Sequence, residues 1–137
     1  MYVVINGGGK IGEYLAHQLI EKRNQVAIIE INKEKVAALR TRLDPAVIIV
    51  HGDGCDSVIQ ADAGVDEADI FVSTTGLDDV NLVSCEIAIL VHKVNRCIAR
   101  VNNPRNERIF RRVGIEAVSS TLVIANLIES EALSAPE

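Results

Sequence analysis

Six short runs, at 2–5, 26–29, 46–50, 70–73, 97–101 and 117–119, are rich in β-branched and other apolar residues without polar alternation. A strand buried on one face only would alternate, so these runs call for a parallel sheet covered by helices on both faces. The intervening segments must then be helical, and their patterns agree. Ile11, Leu15 and Leu19 with Gly12, Ala16 and Ile20 form an apolar stripe opposite Glu13, His17 and Glu21. Asn32 is placed to cap a second helix carrying Val36, Leu39 and Leu43 inward, and Asp56 to cap a short third helix that Gly64 ends. Val80, Val83, Ile87 and Val91 mark a long fourth helix, and Asn103-Pro104 opens a fifth that stops at Gly114. Right-handed crossovers make this an α/β chain with a doubly wound parallel sheet of six strands in the order 3-2-1-4-5-6. At 137 residues there is room for one such domain, over 1–133 with a tail at 134–137, and none for a separate catalytic domain.

Directly after the first run stands Gly7-Gly8-Gly9-Lys10-Ile11-Gly12, a G-x-G-x-x-G loop between a strand and a helix. In a Rossmann-type fold, the first glycine makes the turn, the second lets phosphate approach the backbone, and the third lets helix and strand pack closely. The free N–H groups and dipole at the helix start then favour an anion. The second strand ends in Glu30, close to the ~20-residue spacing at which an acid accepts hydrogen bonds from ribose hydroxyls. A carboxylate repels a 2′-phosphate and neither Ile31 nor Asn32 offers an arginine to receive one, so NAD is favoured over NADP. Lys10 and Lys33 are within reach of phosphate or ribose, or are simply surface lysines. Strand three is followed by His51-Gly52-Asp53-Gly54, where Asp53 is either an adenine acceptor or a turn residue. Thr74-Thr75-Gly76 follows strand four at the crevice, positioned for a second phosphate or ribose, while Asp78 and Asn81 open the next helix, Asn81 either as a nucleotide-binding residue or as a helix-start residue.

Composition narrows the partners. A net charge of −5, with two Tyr, two Phe and no Trp, argues against nucleic acid. Cys55, Cys85 and Cys97 form neither a disulfide framework nor a C-x-x-C zinc site, and His17, His51 and His92 do not converge on a metal. No basic leader precedes the first strand and no apolar stretch nears the ~20 residues of a membrane span. The expectation is a cytosolic protein without direct membrane insertion.

The loop, Glu30, the His-Gly-Asp-Gly turn and Asp78-Asp79-Val80-Asn81-Leu82 together resemble the TrkA N-terminal family, the RCK or KTN domains that regulate potassium transport. The likeness runs on through Ala99-Arg100-Val101-Asn102-Asn103-Pro104 and Gly114-Ile115-Glu116-Ala117-Val118. It implies NAD(H), or alternatively ATP, ADP or AMP, bound at residues 7–12, Glu30, Asp53, Gly54, Thr74 and Thr75, with Arg100 near phosphate or a subunit interface. It also implies homodimers or larger rings beneath an integral-membrane potassium-translocating subunit, at the inner face of the cell membrane. Two departures stand out: many members carry aspartate where this chain has Glu30, and many continue into a second regulatory domain.

The function expected is therefore ligand-gated regulation of a potassium transporter or channel, by differential affinity for two conformations. The alternatives are an NAD-dependent oxidoreductase domain and a regulator of another cation transporter. Against an enzyme stands the missing Tyr-x-x-x-Lys pair, since Tyr14 is followed by Gln18 and Tyr2 by Asn6 at that spacing. The last helix carries Leu122, Val123, Ile124, Ala125, Leu127, Ile128, Ala132 and Leu133 over more of its circumference than one buried stripe needs. A homodimer through this helix and its neighbours Ile109 and Phe110 is expected.

Overall fold

The structure, a computed structural model, describes residues 1–136. The last residue of the expected tail lies outside the described residues. Strands β1 (Tyr2–Asn6), β2 (Gln25–Glu30), β3 (Ile48–His51), β4 (Ile70–Ser73), β5 (Arg96–Val101) and β6 (Glu116–Ser119) form one parallel sheet. Its order is β3-β2-β1-β4-β5-β6, as the alternation of runs and helices required. Strand parity divides the core in two. Val3, Ile5, Val26, Ile28 and Ile70 meet Ala16 of α1 (Lys10–Glu21) and Leu39 of α2 (Lys33–Arg42) on one face. Val4, Ala27, Ile29, Phe71, Cys97 and Ala99 face Cys85 and Ala88 of α4 (Asp78–Leu90) and Phe110 of α5 (Glu107–Arg112) on the other.

Helix punctuation follows the side-chain chemistry. Asn32 Oδ1 accepts from Lys35 N, and Asp56 Oδ1 from Val58 N at the start of α3 (Ser57–Asp62), satisfying N–H groups that have no partner within the helix. Asn103 Oδ1 accepts from Arg105 N, with Pro104 opening the 3-10 turn that leads into α5. Gly64 and Gly114 take left-handed φ of 80° and 82°, which stops their helices.

Three details differ from the sequence expectation. β3 begins at Ile48 rather than 46, because Asp44 turns the chain by accepting Ala46 N on Oδ1 and Val47 N on its carbonyl. The helix α4 exists, but Val83 and Val91 are exposed, and its buried face is Asn81, Ser84, Cys85 and Ala88. Close approach to β4 and β5 leaves room for small side chains only. Phe110, expected at an interface, is 1% exposed and belongs to the core, whereas Ile109 beside it is exposed. The final helix α6 (Ser120–Leu133) is capped by Ser119 and has no buried residue. It leaves Leu122, Val123, Ile124, Leu127, Ile128 and Leu133 open to solvent.

Candidate nucleotide-binding groove

The turn after β1 is shaped by contacts that only glycine permits. Gly7 has φ of 111° and donates its N–H to Ile29 O at 2.8 Å. A Cβ at Gly12 would lie 1.9 Å from Gly7 O, so α1 rests directly on the turn. Gly9, by contrast, has nothing within 4 Å of a Cβ position and supplies no side-chain cap to α1. Its missing side chain leaves the first-turn N–H groups open, at the positive end of a twelve-residue helix. That arrangement can cradle an anion.

Glu30 closes one side of it. The residue is 6% exposed, with Oε1 accepting Gly8 N and Oε2 accepting Asn32 N, both at 2.8 Å. Each oxygen keeps a second lone pair, so the carboxylate can bind a ribose hydroxyl while it ties the glycine loop to the end of β2. A groove of about 250 Å³ opens here, lined among others by Gly7, Glu30, Ile31, Asp53, Cys55, Thr75, Leu77 and Val80. Asp53 is exposed, and its Oδ1 accepts Cys55 N at 2.9 Å; it is a turn residue and a groove residue at once. Gly54 is buried because a Cβ there would lie 2.1 Å from Asn6 Oδ1. Burial pushes the Cys55 thiol up, with Asp53 and Asp79 adding to it, so the groove wall carries a neutral thiol. Cys55, Leu77 and Val80 were not among the sequence candidates; their position one turn beyond strands three and four was the only signal. A larger hollow, about 540 Å³, lies among Tyr2, Gln25, Asp66 and Glu67. It sits at the amino ends of β1 and β2, opposite the edge where open α/β sheets bind ligands.

Asn81 does not line the groove. It is fully buried: Oδ1 accepts from Ser73 Oγ, Thr75 N and Thr75 Oγ, while Nδ2 donates to Thr75 O and Arg100 O. It therefore fixes the β4 loop against β5 and acts on a ligand only through Thr75. Asp78, a turn earlier on the same helix, does the same for the loop after β5, accepting Asn102 N, Asn103 N and Asn106 Nδ2. Burial works against its charge, but those hydrogen bonds outweigh burial and hold the carboxyl below the ordinary aspartate range. Ile11, Thr74 and Arg100 line a separate apolar hollow under α6 rather than the Glu30 groove. Lys10 is exposed beside Gly8, Gly9, Lys35 and Arg42 in a shallow cleft, and Lys33 and Gly76 are exposed. His51, at the end of β3, shares its Nε2 with Ile31 O.

A doubly wound parallel sheet with a glycine loop, a carboxylate at the end of β2 and a groove at the strands' carboxyl ends defines a Rossmann-type nucleotide-binding domain. The model of the TrkA-N domain family matches residues 3–121. A Trk system potassium uptake protein TrkA homolog of Methanothermobacter thermautotrophicus is 42% identical over 120 residues, 88% of this chain and 54% of that protein. The chain belongs to the TrkA-N domain family, and it spans about half the length of the curated relatives it matches. Among solved structures, the TrkA-N domain of the inner membrane protein ybaL of Escherichia coli superposes with a TM-score of 0.85 at 21% identity, covering 97% of this chain and 96% of that one. A GsuK channel bound to NAD gives 0.78 at 20% identity, covering 89% of this chain and 22% of the channel. An AMP-bound Kef C-terminal domain of Shewanella denitrificans gives 0.77 at 19% identity, covering 97% and 81%. At these identities the structural likeness concerns the fold alone.

Proposed function

We propose that this chain is the nucleotide-sensing unit of a potassium-uptake regulator, binding NAD(H), or alternatively ADP, ATP or AMP, in the Glu30 groove. The observation that carries this reading is the open cradle at Gly9 beside a buried carboxylate already bonded to the loop. Phosphate meets the N–H groups of Gly9, Lys10 and Ile11, the adenosine ribose meets Glu30, and the adenine lies between Ile31 and Asp53. In an enzyme NADH would donate a hydride or NAD accept one; here binding alone is the function. The names of the Trk relatives and the NAD and AMP held by the GsuK and Kef structures support the assignment.

Regulation needs a conformational change on which the ligand bears differently in its two states. The loops that touch the groove are joined to β5 and α5 through Asn81 and Asp78, so a ligand that shifts Thr75 also bears on those elements. The chain acts on the cytoplasmic side as a homodimer or ring, attached to the membrane through a potassium-translocating subunit. No described helix is long and apolar enough to cross a membrane. Thermal unfolding of the purified chain with NADH, NAD, ADP, ATP, AMP and NADP tests the reading. A ligand at 100 times its Kd stabilises by about 2.7 kcal/mol. Stabilisation by the adenine nucleotides but not by NADP is expected, and no shift with any of them at millimolar concentration would refute it.

A further inference from the structure

The loop that carries Asp53 and Gly54 into the groove is held from beneath by one buried side chain. Gln60, on α3, is fully buried, and its Nε2 donates to Gly54 O at 2.7 Å and to Ser84 O of α4 at 2.9 Å. On the other side of Gly54 stands Asn6, which leaves no room for a Cβ there and donates from Nδ2 to Ser73 Oγ. Gly54 is thus wedged between the end of β1 and the side-chain amide of Gln60. Cys55 adds a weaker tie, its Sγ donating to Val80 O at 3.7 Å. The seam continues away from the groove, with Ser84 Oγ donating to Ser73 Oγ and Ser73 Oγ to Asn81 Oδ1. Through it the loop after β3 is fastened to α4 and to the β4 loop.

The amide at position 60 adds little to the stability of the free chain. Its Oε1 is buried and, among the described residues, has no hydrogen-bond partner. A buried acceptor without a donor offsets what the Nε2 bonds contribute. One of those bonds is redundant besides, because Ser84 O lies inside α4, where the helical ladder gives it Ala88 N as a donor. An apolar side chain of similar length would fill the position without an orphaned oxygen, but it could not hold Gly54 O. We propose that Gln60 is a positioning residue of the nucleotide groove, keeping Asp53 and Gly54 in the conformation that meets the adenosine half of a nucleotide. Its side chain does not line the groove and acts on a ligand only through Gly54. With the amide gone, Gly54 O turns outward to water and the loop takes up several conformations, which a nucleotide must then order at a cost in affinity. This rests on the proposed nucleotide groove and adds the residue that pre-forms its β3 side.

Calorimetric Kd values for AMP and NADH, together with urea midpoints without ligand, on the intact chain, Gln60→Leu and Gln60→Met provide the test. Both variants are expected to unfold at the parent's urea concentration or above it, while AMP and NADH bind about tenfold more weakly, the equivalent of one ordinary hydrogen bond. The two nucleotides are expected to lose the same factor, since they share the adenosine half. Affinity that falls while stability holds or rises is a signature that a purely structural amide would not give. Parent-like affinity in either variant overturns the proposal, as does a loss confined to NADH. A lower midpoint in both variants, or failure of both to fold, assigns the amide to stability and overturns it as well. AMP on the intact chain separates the two levels: if it binds there and binds the variants equally, the groove stands and the role of Gln60 falls. If neither nucleotide binds the intact chain, the groove falls and the role of Gln60 with it.

Discussion

Replacing Asn81 by aspartate changes almost no volume, yet it strikes the junction of the β4 loop, α4 and β5. The Oδ1 acceptor survives, with Ser73 Oγ and the Thr75 N–H still bonded to it. Both Nδ2 donations are lost, to Thr75 O at 3.0 Å and to Arg100 O at 2.8 Å, and a carboxylate oxygen is left facing two carbonyls. Thr75 O keeps its bond from Asn102 Nδ2 at 3.2 Å, whereas a donor lost to Arg100 O costs about 1–3 kcal/mol, and a carboxylate at a fully buried position adds to that. The expected loss is about 3–6 kcal/mol at pH 7, a large share of a typical domain's stability. Burial raises the new aspartate's folded pKa, and protonation restores one donor. Its favourable contribution is therefore complete below the unfolded value of about 3.9 and drains away as pH rises through the folded one. Urea unfolding of Asn81→Asp and the parent at pH 5 and pH 8 measures both terms. A loss below about 1 kcal/mol, or one no larger at pH 8 than at pH 5, would refute the role given to Asn81.

Four other outcomes follow from the geometry. Gly9→Ala, at φ −73° with open space around its Cβ, is expected to leave the urea midpoint of the free protein nearly unchanged while weakening nucleotide binding; Gly12→Ala, whose Cβ meets Gly7 O, is expected to lower stability by roughly 3 kcal/mol or more. Glu30→Ala removes charge-assisted bonds from Gly8 N and Asn32 N, so unfolding should detect a loss of about 2–4 kcal/mol without ligand, and calorimetry a further loss shared by NADH and AMP. Asp78 has a depressed pKa, so its contribution is present above about pH 3.8 and lost as pH falls through the folded value; the stability gap between the parent and Asp78→Asn should shrink below pH 4, and a pH-independent gap would contradict this. Sedimentation should find a dimer that Leu127→Asp or Ile128→Asp, both on the exposed α6 face, converts to monomer.

The sheet was legible because its signal is redundant: unalternated runs, capping residues and helix-ending glycines each gave the same segmentation, and right-handed crossovers then left one strand order. Edges were less legible, since Asp44 uses backbone bonds of 46 and 47 that the apolar run counted for β3. The α4 face was misleading because burial follows the room available, so Ser84 and Cys85 go inward and Val83 stays out. Within the site, Glu30 and the glycine loop could be read from spacing, because one strand and one turn fix both. Which way Thr74 and Arg100 point was not legible in the same way. Both threonines lie in the loop just beyond β4, and only the fold reveals that Thr74 lines the α6 hollow while Thr75 lines the groove. Asn81 looked like a ligand residue because polar residues at helix starts near a crevice often are, whereas its five hydrogen bonds are all internal.

The most direct test of nucleotide sensing is a calorimetric titration of NADH into the purified chain, repeated in the presence of saturating AMP. One site per chain is expected, with AMP displacing NADH competitively because both place an adenosine ribose on Glu30. Absence of heat and of displacement up to millimolar NADH, or NADH binding that AMP leaves untouched, would contradict the assignment of the groove.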